Sequence, residues 1–210
     1  MKITIRNATA VFLLFTLVAP AAAQELKSEL TLFGAYRFGG DFSLEESDVS
    51  YDAKDSPSYG LIWNTRHKDN TQWEVYFSRQ QTEVEASDPF QITPLVDVEL
   101  YTLQLGGTYL FEGNSVKPYL AMTVGGTHIK TDAGNSESDT FFSMSLGLGF
   151  MFRSTERLGF RLEARAHGVF VTDSSELFCR TGPDANFCSF RVEGDMFSQI
   201  ETFAGATFRF

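Results

Sequence analysis

Two cysteines, three histidines and two tryptophans are all that this 210-residue chain holds of those types, and each scarcity closes off some chemistry. Cys179 and Cys188 stand without a third cysteine or a nearby histidine, which makes a poor zinc site. No metal and no cofactor is expected. Basic residues are outnumbered as well, 17 Lys and Arg against 27 Asp and Glu. Nothing in that balance would neutralise a run of phosphates, so nucleic acid is excluded as a partner. Beyond the first two dozen residues no stretch approaches ~18 apolar residues, which rules out a transmembrane helix.

What is present begins with the N-terminus. Lys2 and Arg6 give a basic start, Val11 to Ala19 is an apolar run, and Ala21-Ala22-Ala23 is a small-residue cleavage site. Residues 1–23 therefore read as a secretory signal peptide cut before Gln24, too short in its apolar core for a membrane anchor. Residues 24–210 form one domain. Removing Lys2 and Arg6 leaves 15 basic residues against 27 acidic ones, a net charge of −12. Export also sets the redox state: in an oxidising compartment Cys179 and Cys188 are expected to close a small loop as a disulfide rather than remain free thiols.

The mature chain alternates. Ile200, Thr202, Ala204, Ala206, Phe208 and Phe210 share one face of the last stretch, and Glu201, Phe203, Gly205, Thr207 and Arg209 share the other. A period of two is a strand between two environments. The same pattern runs through Leu30 to Phe38, Tyr59 to Trp63, Trp73 to Phe77 and Tyr101 to Tyr109. It returns in Pro118 to Val124, Phe142 to Phe152 and Leu158 to Phe170. Eight strands of roughly ten residues are expected, enough to cross a bilayer when tilted.

Connections between them alternate long and short. Gly39 to Pro57, Glu83 to Leu95, Thr131 to Asp139 and the cysteine segment are long; Arg66 to Asn70, Glu112 to Asn114 and Ser154 to Arg157 are tight. Long external loops and short periplasmic turns are the habit of outer-membrane barrels. Aromatics bracket the short turns (Trp63 and Trp73, Tyr109 and Phe111, Phe152 and Phe160), and Phe210 joins them, as a periplasmic girdle would require. Twenty-one phenylalanines find a use there. A secreted lipocalin-type barrel alternates too, yet has no reason to repeat this loop order and girdle. The fold expected is an all-β, eight-stranded antiparallel up-and-down transmembrane β-barrel.

Signal peptide, eight alternating strands, the run Pro118 to Gly126 (PYLAMTVGG) and the terminal phenylalanine together resemble the small OmpA/OmpX-type outer-membrane β-barrel family. The resemblance covers essentially the whole mature chain. It implies a bacterial outer-membrane location, outer-membrane lipid and lipopolysaccharide as surroundings, and a monomer. It also implies that Phe208 and Phe210 serve as the signal read by the barrel-assembly machinery. The chain departs from the two-domain members in stopping at the barrel, without a peptidoglycan-binding domain.

Three groups of residues are candidates for a site. By parity Arg37, Arg161, Arg165 and Arg209 face the lumen, against Glu74, Glu163 and Glu201, with His167 nearby. An eight-stranded barrel is just wide enough for side chains to fill. These charges therefore read as a paired plug, or alternatively as a narrow selective pore with a proton-sensitive gate at His167. Arg37, Arg165 and His167 are expected to share Glu201 at one height. Catalysis is the second candidate and is not favoured. His67 lies in a turn, His128 points outward, and His167 has no serine or threonine close by on its face, so no nucleophile, base and carboxylate converge. Third come the acidic outer loops (Asp41, Glu45, Glu46 and Asp48), which lack calcium-loop spacing, and Arg79, placed outward where a lipid phosphate would lie. The role expected is structural or surface-interacting, with a passive channel for small solutes as runner-up and a lipid-modifying enzyme behind it.

Overall fold

Alternation in the chain becomes a continuous ladder of strands. The computed structural model describes residues 28–42, 51–86, 96–131, 137–170, 179–182, 185–188 and 196–210. Twelve strands run in order β1 (Ser28–Phe38), β2 (Asp41–Phe42), β3 (Tyr51–Ala53), β4 (Ser56–Lys68), β5 (Thr71–Ala86), β6 (Val96–Leu110), β7 (Val116–Thr131), β8 (Glu137–Arg153), β9 (Leu158–Phe170), β10 (Cys179–Gly182), β11 (Ala185–Cys188) and β12 (Met196–Arg209). Eight of these, β1, β4 to β9 and β12, make a closed, all-antiparallel β-barrel without helices. Each pairs with the next, and β12 returns to β1 over ten residue pairs, from Glu29 opposite Arg209 to Phe38 opposite Ile200. Strands β2 and β3 extend the wall at the end of β5, while β10 and β11 form a separate hairpin.

Asp69-Asn70, Phe111 to Ser115 and Ser154 to Arg157 make the three short connections. Both ends of the barrel chain lie beside them: Ser28 and Phe210 exchange backbone hydrogen bonds, and the Arg209 amide donates to the Arg157 carbonyl. Tight turns and termini thus share the end that corresponds to the periplasm in barrels of this kind.

Burial is inverted relative to a water-soluble protein. Leu148 is 62% exposed and Leu32 61%, whereas Arg161 and Glu201 are fully buried. A long apolar exterior around a charged interior is stable only where the exterior meets hydrocarbon. Tyr109 packs edge-on to Phe111 and Phe208 stacks on Phe210 at the turn end; Tyr36 tilts against Phe38, and Phe142 against Phe170, at the other. The second of these aromatic belts carries no sequence signal as compact as the one around the turns.

Strand length corrects the expectation of about ten residues. Barrel strands run from 11 residues in β1 to 17 in β8. Ser56-Pro57 opens β4, Glu83 to Ala86 continue β5, and β8 starts at Glu137 rather than after Asp139. Hydrophobic alternation marks only the part of a strand that faces lipid. Past the belt both faces meet water, so the alternation fades while the ladder continues. The signal peptide, the acidic stretch 43–50 and the stretches 87–95 and 132–136 lie outside the described residues. The backbone ladder of β10 and β11 sets Cys179 opposite Cys188; the side chains of that hairpin lie outside the described residues.

Candidate functional site

Nearly every barrel strand contributes a polar inner-face side chain, and these meet in tiers along the lumen. The upper charged tier centres on Arg37 of β1. Its Nε donates to Glu201 Oε2 at 2.6 Å, its Nη1 to Gln80 at 3.1 Å, and its Nη2 to Ser78 at 2.6 Å and to the Tyr76 hydroxyl at 3.3 Å. Glu201 of β12 also accepts from Ser58 at 2.8 Å and from Tyr76 at 2.6 Å. With Arg37 and Glu201 directly opposite in the β1–β12 ladder, the pair lies along the closing seam.

The lower charged tier crosses the barrel. Arg161 and Arg165 of β9 both reach Glu74 on β5, at 2.9 and 2.6 Å, and those two strands lie on opposite walls, with three strands between them on either side. Both arginines also grip Glu163. Asn64 accepts from Arg161 at 3.0 Å and donates to Glu74 at 3.1 Å, while Thr108 and Tyr119 complete the carboxylates' hydrogen bonds. Guanidinium planes lie over rings, Arg165 over Tyr76 at 4.3 Å and Arg161 over Tyr119 at 4.5 Å, a contact worth more once water is excluded.

Small residues on β8 make the room. A Cβ on Gly147 would run into Glu163 and Arg165, and one on Gly149 would strike the Tyr119 ring. Between the two tiers and the wall of β6 to β8, Gln104 ties Ser143, Ser145 and Thr123 together at 2.8–2.9 Å. Above lie buried apolar side chains, Leu100, Ile129, Phe141 and Val169 among them. Below sits a cluster of Leu110, Tyr119, Ala121 and Met151. Arg209 donates to Glu29 at 2.8 Å near the turn end.

Formal charge cancels within the two charged tiers: Arg37 with Glu201, and Arg161 and Arg165 with Glu74 and Glu163. The expectation that Arg37, Arg165 and His167 share Glu201 is corrected. Arg165 does lie opposite Glu201 in the ladder, but its head turns down to Glu74 and Glu163. His167 is buried with its Nε2 3.5 Å from Glu201 Oε1, beyond a well-formed hydrogen bond, and that nitrogen has no hydrogen-bond partner. A hydroxyl does stand beside His167 after all, since Ser145 is its ladder partner; Ser145 bonds Thr123 and Gln104 instead. His67 packs against Trp73, and His128 shares a 2.9 Å hydrogen bond with Thr140 on the outer face. Outside as well, Arg79 bonds Tyr59 at 3.0 Å and Glu99 at 2.7 Å, and both Arg79 and Lys130 lie over the Tyr101 ring.

Glu29, Tyr76, Tyr119 and Asn64 were missing from the sequence-derived network. Glu29 shares its parity with Thr31 and Arg37 and was legible on that basis. The tyrosines were harder to find, because an aromatic in such a chain reads first as girdle.

A closed antiparallel barrel with an apolar belt outside and paired charges inside is an outer-membrane barrel protein. The chain belongs to the outer membrane protein beta-barrel domain family, whose model matches residues 8–193. Among solved structures it is similar to Neisserial surface protein A, at 15% identity over 87% of this chain and 97% of that one, with a TM-score of 0.60. It is also similar to the outer membrane protein OprG from Pseudomonas aeruginosa, at 12% identity over 90% of this chain and 98% of that one, with a TM-score of 0.54. At these identities the likeness is one of fold. No curated protein matches the chain in sequence.

Proposed function

We propose that this barrel is a non-conducting, non-enzymatic outer-membrane protein with a structural or surface-interacting role. The observation that carries the reading is the lower charged tier, in which Arg161, Arg165, Glu74 and Glu163, all fully buried at their side chains, brace one wall of the lumen to the other. Opening a water path through it would separate two guanidinium groups from two carboxylates. Breaking one partner out of a buried pair costs ~3–5 kcal/mol, so a conducting state would be rare. Purified protein in planar bilayers should be electrically silent at voltages that leave the membrane intact. Stable unitary currents from the wild-type chain would overturn the plug.

A narrow channel for small solutes is the second reading, favoured by an unsatisfied polar atom in the lumen, the buried Nε2 of His167 beside Glu201. Residues 1–23 would direct export, Phe208 and Phe210 would present the last strand to the assembly machinery, and Cys179 and Cys188 would be joined. Arg79 and Lys130, on the outer face beside Tyr101, suit the phosphates of lipopolysaccharide. As for catalysis, His128 is the one histidine bonded to a hydroxyl among the described residues, and no carboxylate hydrogen bond to it is seen there.

A further inference from the structure

The turn end of the lumen differs from the tiers above it in one respect: its charges do not cancel. Four basic residues occupy inner-face positions there. Arg66 stands opposite Gln72, Lys117 opposite Met151, Arg153 opposite Gly159 and Arg209 opposite Glu29 in their ladders. All four of those partners but Gly159 carry buried side chains directed inward, which fixes the parity. Arg66, Arg153 and Arg209 are close enough to Lys117 for their charges to act on its ammonium, with Glu29 as the counter-charge acting in the other sense. Asp69, Glu112 and Glu156 lie at this end too, but they are exposed residues of the connecting turns. Arg66 and Arg153 are likewise exposed, at the rim. Among the described residues Lys117, Arg153 and Arg209 have one inner-face carboxylate, Glu29, for three positive charges, in a chain whose overall charge is −10.

Within this ring one ion pair is incompletely bonded. Arg209 is only 4% exposed, and its Nε and Nη1 are used by Glu29 Oε1 and the Thr155 carbonyl. Its Nη2 is buried without a partner, and so is the other oxygen of the same Glu29 carboxylate, Oε2. A buried guanidinium nitrogen left unbonded is costly. Gly159 keeps the space beside that nitrogen: a Cβ there would come within 2.9 Å of Arg209 Nη2. One donor and one acceptor are thus left unbonded on a single buried pair, inside a positively charged ring at the turn end.

We propose that this mouth is a binding site for a phosphate-type oxyanion that carries a hydroxyl, either hydrogen phosphate or a phosphate monoester. An ionised oxygen accepts from Arg209 Nη2, and the P–OH donates to Glu29 Oε2. Lys117 and Arg153 supply the remaining positive charge. Sulfate has the shape and charge but no proton to donate at neutral pH, so the site should prefer phosphate. The shared chemistry has two sources on the periplasmic side, a soluble phosphate and the monoester headgroup of phosphatidic acid in the inner leaflet.

Isothermal titration calorimetry on the full chain in detergent, with sodium phosphate, sodium sulfate and sodium chloride at equal ionic strength, tests the assignment. Phosphate should bind saturably and more tightly than sulfate, with no saturable heat from chloride. Lys117→Gln and Arg153→Gln, each removing one charge-assisted contact, should each weaken phosphate binding about tenfold. Lys54→Gln, at the opposite end where Lys54 pairs with Glu83, should leave it unchanged. Equal response to phosphate and chloride, undiminished affinity in both mouth variants, or a loss in Lys54→Gln overturns the site. Circular dichroism melting of each variant separates a binding loss from a folding loss. Repeating the titration in nanodiscs assigns the source. Phosphate displaced by phosphatidic acid but not by phosphatidylglycerol or phosphatidylcholine supports the headgroup in the same site, and phosphate binding equally in all three supports the soluble anion.

Discussion

Arginine and glutamate meet in this molecule under two opposite conditions. In the lower tier of the lumen, Arg161 and Arg165 hold Glu74 and Glu163 with no water-accessible surface. On the outer wall Arg79 holds Glu99 at 2.7 Å, with both side chains about 30% exposed. Distances are alike; surroundings are not. Each buried ion was taken out of water at a cost of several kcal/mol and is kept only because its neighbours neutralise and bond it. The outer pair gave up little solvation and gains little. Inside, the pairing is obligatory; outside, it is optional.

The sharpest way to break that contrast is Glu74→Gln. It leaves Arg161 and Arg165 sharing one carboxylate between them, and stability should fall toward the upper end of ~3–5 kcal/mol, read as a lower urea midpoint in liposomes. Glu201→Gln should cost less, near the lower end of that range, because the amide oxygen can still accept from Arg37 and the tyrosine and serine donors. Should both variants unfold like wild type, the lumen is wet and the tiers are not what holds it. Gly147→Ala comes next. Its methyl group would meet Glu163 and Arg165, both already fixed in place, and overpacking of this kind costs ~1–3 kcal/mol.

Smaller effects lie outside the barrel interior. Cys179→Ser should hardly move the global midpoint, because the barrel already fixes both ends of that long segment. The same segment should become more open to protease, and intact-mass analysis of wild-type protein should find no free thiol. Smallest of all is Glu99→Gln on the outer wall, expected to shift stability by less than ~1 kcal/mol at any salt concentration. A loss comparable to that of Glu74→Gln would mean that the outer cluster is shielded from water and does more than decorate the wall.

Strand number and face were legible because a barrel strand sees lipid on one side and the lumen on the other, so its residue types alternate strictly. The partners inside the lumen were not. Alternation places Arg165 on the inner face, but Glu74 lies four strands away on the opposite wall, and no spacing within one strand records that distance. The glycines of β8 were the available hint. Serine and glycine at alternate positions from Ser143 to Gly149 announce that something large enters there from elsewhere, without saying that it is Tyr119, Glu163 and Arg165. Strand ends were hidden for a different reason, because above the belt water lies on both sides and the residues no longer need to differ.

The two ion pairs across the β1–β12 seam, Arg37 with Glu201 and Glu29 with Arg209, bear on how the barrel shuts. A slip by one residue would turn arginine toward lipid and is forbidden by that alone. A slip by two keeps every face correct and is the error that alternation cannot prevent. It would set Arg37 against Gln199 or Phe203, and Glu29 against Thr207 or past the end of the chain, stranding two arginines and two glutamates at once. The seam thus carries a latch near each end, and only one alignment of the first and last strands fastens both.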